Sequence, residues 1–145
     1  MSPQELKKAL IAAGLEVYRT TSDEVVLADR VRENLIMDSG VRVKVGQPIE
    51  VSVVLRVRRA HFPNEGENAL FDHVRGLGSN IVEKGFAERE TRVTPVSDPA
   101  DSGRLLDTFY EVVFTRPFTG EGDQLEQAIE CVRYALEVAK SAEPR

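Results

Sequence analysis

The chain has 145 residues, of which one, Cys131, is a cysteine and none is a tryptophan. One cysteine excludes an internal disulfide and a zinc site built from several cysteines. No apolar run approaches the roughly 20 residues that a membrane-spanning helix needs. The first ten residues, MSPQELKKAL, also lack the apolar core of a signal peptide. We therefore expect a protein of the reducing cytoplasm with no membrane partner.

Composition and charge narrow the class of protein further. Hydrophobic residues make up 41% of the chain and charged residues 30%, as in ordinary globular proteins. The length matches one domain, so residues 1–145 are predicted to form a single α+β domain. The formal net charge of −5 argues against general binding of nucleic acid, because such binding depends on lysine and arginine neutralising phosphates.

A helix-start signal occurs three times. Each time a capping side chain is followed three residues later by glutamate, as in Ser2-Pro3-Gln4-Glu5, Asn64-Glu65-Gly66-Glu67 and Asp123-Gln124-Leu125-Glu126. Apolar residues at helical spacing follow each signal. The sequence therefore predicts helices over roughly 3–13, 65–84 and 124–140, and the first two end at Gly14 and Gly85.

Between the first two helices the apolar period changes to two, which predicts strands. Residues 20–23 are typical of a turn between two of them. Val41–Val45 and Ile49–Val57 form the next hairpin. A three-residue loop there pairs Lys44 with Glu50 and keeps the apolar side chains on one face. Segment 31–38, VRENLIMD, fits either a short helical turn or a strand.

Two further strands, over 87–96 and 105–118, are predicted on either side of an acidic turn at 98–103. Consecutive strands with short connections indicate antiparallel pairing. The fold class is therefore α+β, with an antiparallel sheet of five or six strands and three helices in the order α-β-β-(β)-β-α-β-β-α. We expect the helices mostly on one face of the sheet and a more polar or partner-covered face opposite.

The stretch VSVVLRVRRAHFPNEGEN, residues 51–68, contains the most basic strand. Arg56 and Arg58 alternate with apolar residues and so project from the polar face, beside Lys44, while Arg59 follows where the strand leaves the sheet. Because arginine forks bind carboxylates and phosphates, these four are the candidate partner-binding residues. The simpler interpretation is a basic strand face in water.

No catalytic or metal-binding pattern is present. His61 and His73 do not have the spacing of a metal-ligand motif. The segment GLGSN, residues 76–80, lies within the predicted second helix, so its glycines are interpreted as allowing close packing or a kink and not as a phosphate-binding loop. Cys131 follows an acidic residue and has no base in its sequence neighbourhood. We predict no catalytic residue, no metal, no cofactor and no enzymatic activity.

The element order over residues 3–140 resembles the class I type III secretion chaperone fold and the YbjN-like domains that share it. The likeness is one of topology only, and the extra segment around 31–45 departs from it. The resemblance implies a homodimer that binds an extended segment of another protein.

The sequence thus leaves two hypotheses open. One is a protein-binding, chaperone-like or adaptor domain; the alternative is a small-molecule or regulatory module with an apolar pocket near Tyr110 and Phe114.

Overall fold

The computed structural model describes residues 1–119 and 122–142. Its helices are α1 (Pro3–Ala12), α2 (Glu67–Leu77), α3 (Ser79–Glu83) and α4 (Gln124–Ser141), with a short 3-10 turn at Arg59–His61. Its strands are β1 (Val17–Thr20), β2 (Glu24–Arg32), β3 (Leu35–Lys44), β4 (Ile49–Arg58), β5 (Ala87–Asp98) and β6 (Asp101–Phe118). They form one antiparallel sheet in the order β1-β2-β3-β4-β6-β5, which confirms the predicted fold class.

The chain divides into two compact units. The first contains residues 1–53 and 115–141, and the second is built from residues 54–114. The expectation of a single domain stays a prediction. No helix in the described part of the chain is long and apolar enough to cross a membrane.

The core of the first unit is a sheet face covered by helices. Val43 lies opposite Val25 on one side and Val51 on the other, and all three are fully buried. The same ladder places Lys44 opposite Glu50, which confirms the register of the three-residue loop. Helix α4 packs against β3, and α1 packs beside β1 and β2.

Two of the three predicted helix caps are correct, and the third is wrong. Ser2 Oγ accepts a hydrogen bond from the Glu5 N–H (3.2 Å), and Asp123 Oδ1 accepts one from the Glu126 N–H (3.1 Å), as predicted. Asn64 does not cap a helix. Helix α2 begins at Glu67, and its N-cap is Gly66, with no side-chain cap. The reason is that the 3-10 turn and the loop after it take the chain past Asn64 before the helix can start.

The predicted helix over 65–84 is two helices, which raises the number of helices from three to four. It breaks at Gly78, where the ring of Phe114 occupies the space that a side chain would need. The glycine pair was predicted to allow close packing or a kink. Gly78 has the close contact and lies at the break, whereas Gly76 has open space around it. Helix α3 ends at Glu83, and Gly85, whose φ is 94°, completes the predicted C-terminal cap.

The sequence left one connection open between a helical turn and a strand, and it made another too long. Segment 31–38 is a hairpin: β2 runs to Arg32 and β3 starts at Leu35, so both strands continue where periodicity was ambiguous. The turn between β5 and β6 consists of Pro99 and Ala100, which is shorter than the predicted 98–103. In both places hydrogen bonding to a neighbouring strand extends the strands through residues that carry no alternating apolar pattern.

Candidate functional site

Strand β4 presents two arginines on its polar face. Its alternate residues are buried on the other face: Ile49, Val51, Val53, Leu55 and Val57. Arg56 and Arg58 therefore project away from the core, as alternation predicted, and their side chains are 40% and 39% exposed. In the second unit, α2 and α3 pack on the opposite face, through contacts with Tyr110 and Phe114.

Arg56 stacks on an aromatic ring of β6. Its guanidinium carbon lies 4.3 Å from the centroid of Phe109, and Arg58 lies 6.0 Å from the same ring. Arg56 Nη1 is also 3.9 Å from Glu111 Oε2. Glu111 is buried and accepts a hydrogen bond from the Thr94 hydroxyl, so its orientation is fixed from the side of β5. A stacked guanidinium of this kind keeps its outer N–H groups available to a partner.

Arg58 is held by a buried carboxylate. Its Nε donates to Asp107 Oδ2 (2.8 Å), while Asp107 Oδ1 accepts from the N–H groups of Thr108 (2.7 Å) and Ala60 (3.2 Å). Burial alone would raise the pKa of Asp107, but these hydrogen bonds outweigh it and lower the pKa below its usual value. Asp107 is therefore ionised at neutral pH and serves as a fixed counter-ion.

The term arginine face is used below for five residues: Arg56, Arg58, Phe109, Asp107 and Glu111.

Arg59 belongs to a different arrangement. Its guanidinium lies over the ring of Tyr110 at 5.0 Å and donates to the Tyr110 hydroxyl (2.9 Å). It also donates to the carbonyl oxygens of Phe62 (3.4 Å) and Glu65. These bonds tie the loop after β4 to β6. The structure thus gives Arg59 a local structural contact, and its role in binding a partner stays a prediction.

The two histidines do not share a site. His73 stacks on Phe62, with ring centroids 4.3 Å apart, and its Nε2 is hydrogen-bonded to Glu65 Oε2 at 2.7 Å. His61 lies in the 3-10 turn. Within residues 1–119 and 122–142, no group of three or more histidine, cysteine, aspartate or glutamate side chains is arranged to hold a metal ion.

Lys44, the fourth candidate, lies in the first unit. It is exposed at the end of β3, opposite Glu24 on one neighbouring strand and Glu50 on the other. Acidic cross-strand neighbours of this kind favour a solvated surface ladder. Of the four predicted residues, the structure therefore groups Arg56 with Arg58 and gives Arg59 separate contacts. A binding role for Lys44 remains a prediction.

Sequence reasoning missed the β6 half of the arginine face. Asp107, Phe109 and Glu111 alternate along β6, as Arg56 and Arg58 do along β4. Opposite charges at matching spacing on two strands are a signal for cross-strand pairing. The signal needs the knowledge that β6 lies beside β4, although 49 residues separate the ion pair Arg58–Asp107 along the chain.

The remaining candidates are core residues. Tyr110 packs edge-on against Phe71, with centroids 5.6 Å apart, and Phe114 fills the space beside Gly78. An apolar ligand pocket at these residues stays a prediction.

Cys131 is buried in α4, and burial raises the pKa of its thiol despite the opposing effect of Arg116. A thiol with a raised pKa is a poor nucleophile near neutral pH.

Comparisons with protein-family models, with curated proteins and with solved structures found no match to this chain. The resemblance to secretion chaperones therefore stays a prediction. The arginine face combines two exposed guanidinium groups, an aromatic ring and two buried carboxylates.

Proposed function

We propose that this chain is a non-enzymatic, cytoplasmic protein-binding domain of the chaperone-like or adaptor type, and that it works as a homodimer. Its binding surface is the arginine face, and its ligand is an extended segment of a partner protein that carries a carboxylate side chain. The observation that carries this proposal is the stacking of Arg56 on Phe109 at 4.3 Å, with the Arg56 side chain 40% exposed.

The composition of the arginine face supports protein binding. Arginine and aromatic residues are enriched at the centres of protein interfaces and among the residues whose truncation costs most binding energy. Arg56 and Arg58 are already oriented by Glu111 and Asp107, so binding immobilises fewer free rotamers than it would with unpaired arginines. A pre-ordered arginine can form two parallel hydrogen bonds with one carboxylate of the ligand.

The local charge balance favours a protein segment over a nucleic acid. Two arginines face two buried carboxylates, so the cluster has no net formal charge (+2 and −2). Nucleic-acid affinity rises with the number of phosphates neutralised, and a balanced cluster offers little of that. A mixed polar and apolar segment can use the exposed N–H groups and the ring of Phe109 together.

The experiment compares two matched arginine variants. The chain, carrying an affinity tag, is isolated from its own host under native conditions, and a bound protein is identified by native mass spectrometry. A synthetic peptide from that protein is then titrated into wild type, Arg56→Gln and Arg104→Gln by calorimetry. Arg104 is the control because it lies in the same unit and is 69% exposed.

Arg56→Gln is expected to weaken the peptide affinity at least about tenfold, as loss of a central interface arginine does. Arg104→Gln is expected to stay within about twofold, because exposed charges contribute little. Equal affinities for wild type and Arg56→Gln would rule out the arginine face as the binding surface. A bound small molecule at defined stoichiometry would instead support the alternative ligand-binding module.

A further inference from the structure

Strand β5 leaves an open edge on the sheet. It is the last strand in the order β1-β2-β3-β4-β6-β5, and it is 12 residues long. Every residue from Ala87 to Pro95 is exposed, and Val93 has 47% of its surface in contact with water. A long edge of this kind presents unpaired N–H and C=O groups that can pair with another strand.

Pro95 indicates which residues face outward. Proline has no N–H, so in an edge strand it is tolerated where the N–H would point to solvent rather than to the neighbouring strand. Backbone groups alternate in direction along a strand, so the odd-numbered residues Arg89, Thr91 and Val93 present their N–H and C=O groups to the open side. An incoming strand can pair along this stretch up to Pro95.

The charges of β5 are self-complementary in one symmetric register. Glu90 and Arg92 are two residues apart and therefore lie on the same face of the strand. When two copies pair antiparallel about Thr91, each Glu90 lies opposite Arg92 of the second copy. Within the described residues, neither side chain forms an ion pair in the single chain. Both are therefore available for this contact.

The neighbouring symmetric registers are unfavourable. Centring the pair on Glu90 or on Arg92 places that residue opposite its own copy, and centring it on Arg89 does the same for Arg89. Like charges directly opposite each other destabilise a strand pair. In the register about Thr91, Thr91 faces Thr91 of the second copy, and Val93 lies opposite the aliphatic stem of Arg89, both of which are favourable cross-strand pairs.

We propose that two copies of this chain associate by antiparallel pairing of their β5 strands about Thr91. The inference rests on the proposed homodimeric binding function and specifies its interface. Each copy contributes the hydrogen-bonding groups of residues 89–93 and one half of two reciprocal Glu90–Arg92 ion pairs. The pairing uses the strand edge, so the exposed guanidinium of Arg56 stays available to a partner protein.

The test uses charge reversal in two separate proteins. Glu90→Arg alone places arginine opposite arginine at both ion-pair positions, and Arg92→Glu alone places glutamate opposite glutamate. In a mixed dimer of the two variants, however, every pair is again of opposite sign. Sedimentation velocity and native mass spectrometry measure the wild type, each variant, the equimolar mixture and the double variant Glu90→Arg/Arg92→Glu. Arg104→Glu is the control for reversal of an exposed charge elsewhere in the same unit.

The expected result is a dimeric wild type and dimer dissociation constants at least about tenfold higher for each single variant, since like charges across an interface are strongly unfavourable. The mixture then forms a heterodimer, and the double variant regains the wild-type dissociation constant. Recovery in the mixture also shows that both variants are folded. Arg104→Glu dimerises like the wild type.

Two results overturn the inference. One is a wild type that remains monomeric at tens of micromolar, and the other is a dimer whose dissociation constant is the same in all charge-reversal variants. Both results are independent of the peptide titration of Arg56→Gln, because that titration measures partner binding whether or not two β5 strands pair. A monomer that still binds its peptide through Arg56 thus refutes the β5 interface and retains the binding function.

Discussion

The ring of Phe114 lies where a β-carbon on Gly78 would have to be. An added β-carbon would come within 2.5 Å of Phe114 Cζ and 2.8 Å of Cε2. Phe114 is only 1% exposed, so the ring cannot move aside into solvent. This contact fixes where α2 ends and α3 begins, and it makes glycine necessary at position 78 for steric reasons.

Gly78→Ala is therefore expected to lower the free energy of unfolding by about 1–3 kcal/mol, the range seen when a tightly packed core receives an extra carbon. Gly76→Ala is the matched control, because a β-carbon there meets nothing within 4 Å. In the helix, alanine at 76 should raise stability by up to about 1 kcal/mol. Urea unfolding of both variants measures the difference. Equal changes in the two would contradict the packing argument.

Asp107→Asn is expected to make stability less dependent on acid pH. Asparagine keeps an oxygen for the N–H groups of Thr108 and Ala60 but loses the charge opposite Arg58. Because Arg58 is 39% exposed, the loss near pH 7 should be only about 1 kcal/mol.

The direction of the pH effect follows from the lowered pKa of Asp107. A carboxylate whose folded pKa is below its unfolded value of about 3.9 contributes stability that is fully present above that value and is lost as pH falls through the folded pKa. The difference between wild type and Asp107→Asn should thus be constant from pH 5 to 8 and shrink below about pH 4. Asp101→Asn, at an exposed carboxylate, is the control. A difference that grows in acid would contradict the assignment.

Arg59→Gln should loosen the loop after β4. The variant loses the donors to Phe62 and Glu65 and the contact with Tyr110, at an expected cost of about 1–2 kcal/mol. Hydrogen exchange of the amides in residues 59–66 measures the loosening. A double-mutant cycle with Tyr110→Phe isolates the bond between the two side chains. Strictly additive effects would show that this bond contributes nothing.

The three predicted capping residues should differ in how much stability is lost when each is replaced by alanine. Ser2→Ala and Asp123→Ala each remove a side-chain acceptor at a helix start and should cost about 1 kcal/mol. Asn64→Ala should be close to neutral, because Asn64 lies before the loop that leads to Gly66 and caps no helix. Thermal unfolding of the three variants gives the comparison. A loss of stability in Asn64→Ala equal to that in Ser2→Ala would show that Asn64 caps a helix.

Residues that act locally were predicted well. Gly14 and Gly85 end helices because only a left-handed backbone allows the last carbonyl groups to be capped there, and both have positive φ. The pairing of Lys44 with Glu50 follows from loop length and the buried face of the hairpin. These features depend on neighbours within a few positions, which the sequence contains directly.

The arginine face was only half predicted. Alternation placed Arg56 and Arg58 on the polar face of β4, because every second residue of a strand points the same way. Nothing local indicated that Phe109 would lie under Arg56 or that Asp107 would hold Arg58. Those contacts depend on which strand lies next to β4.

The sequence by itself thus determined the class of fold, the capped ends of α1 and α4 and the alternating faces of β4, since each is set by steric and hydrogen-bonding preferences over a few residues. Tertiary structure alone decided the break at Gly78 and the partners of the two arginines. In both cases the deciding group comes from a distant part of the chain: the ring of Phe114 excludes a side chain at 78, and the carboxylate of Asp107 selects the position of Arg58.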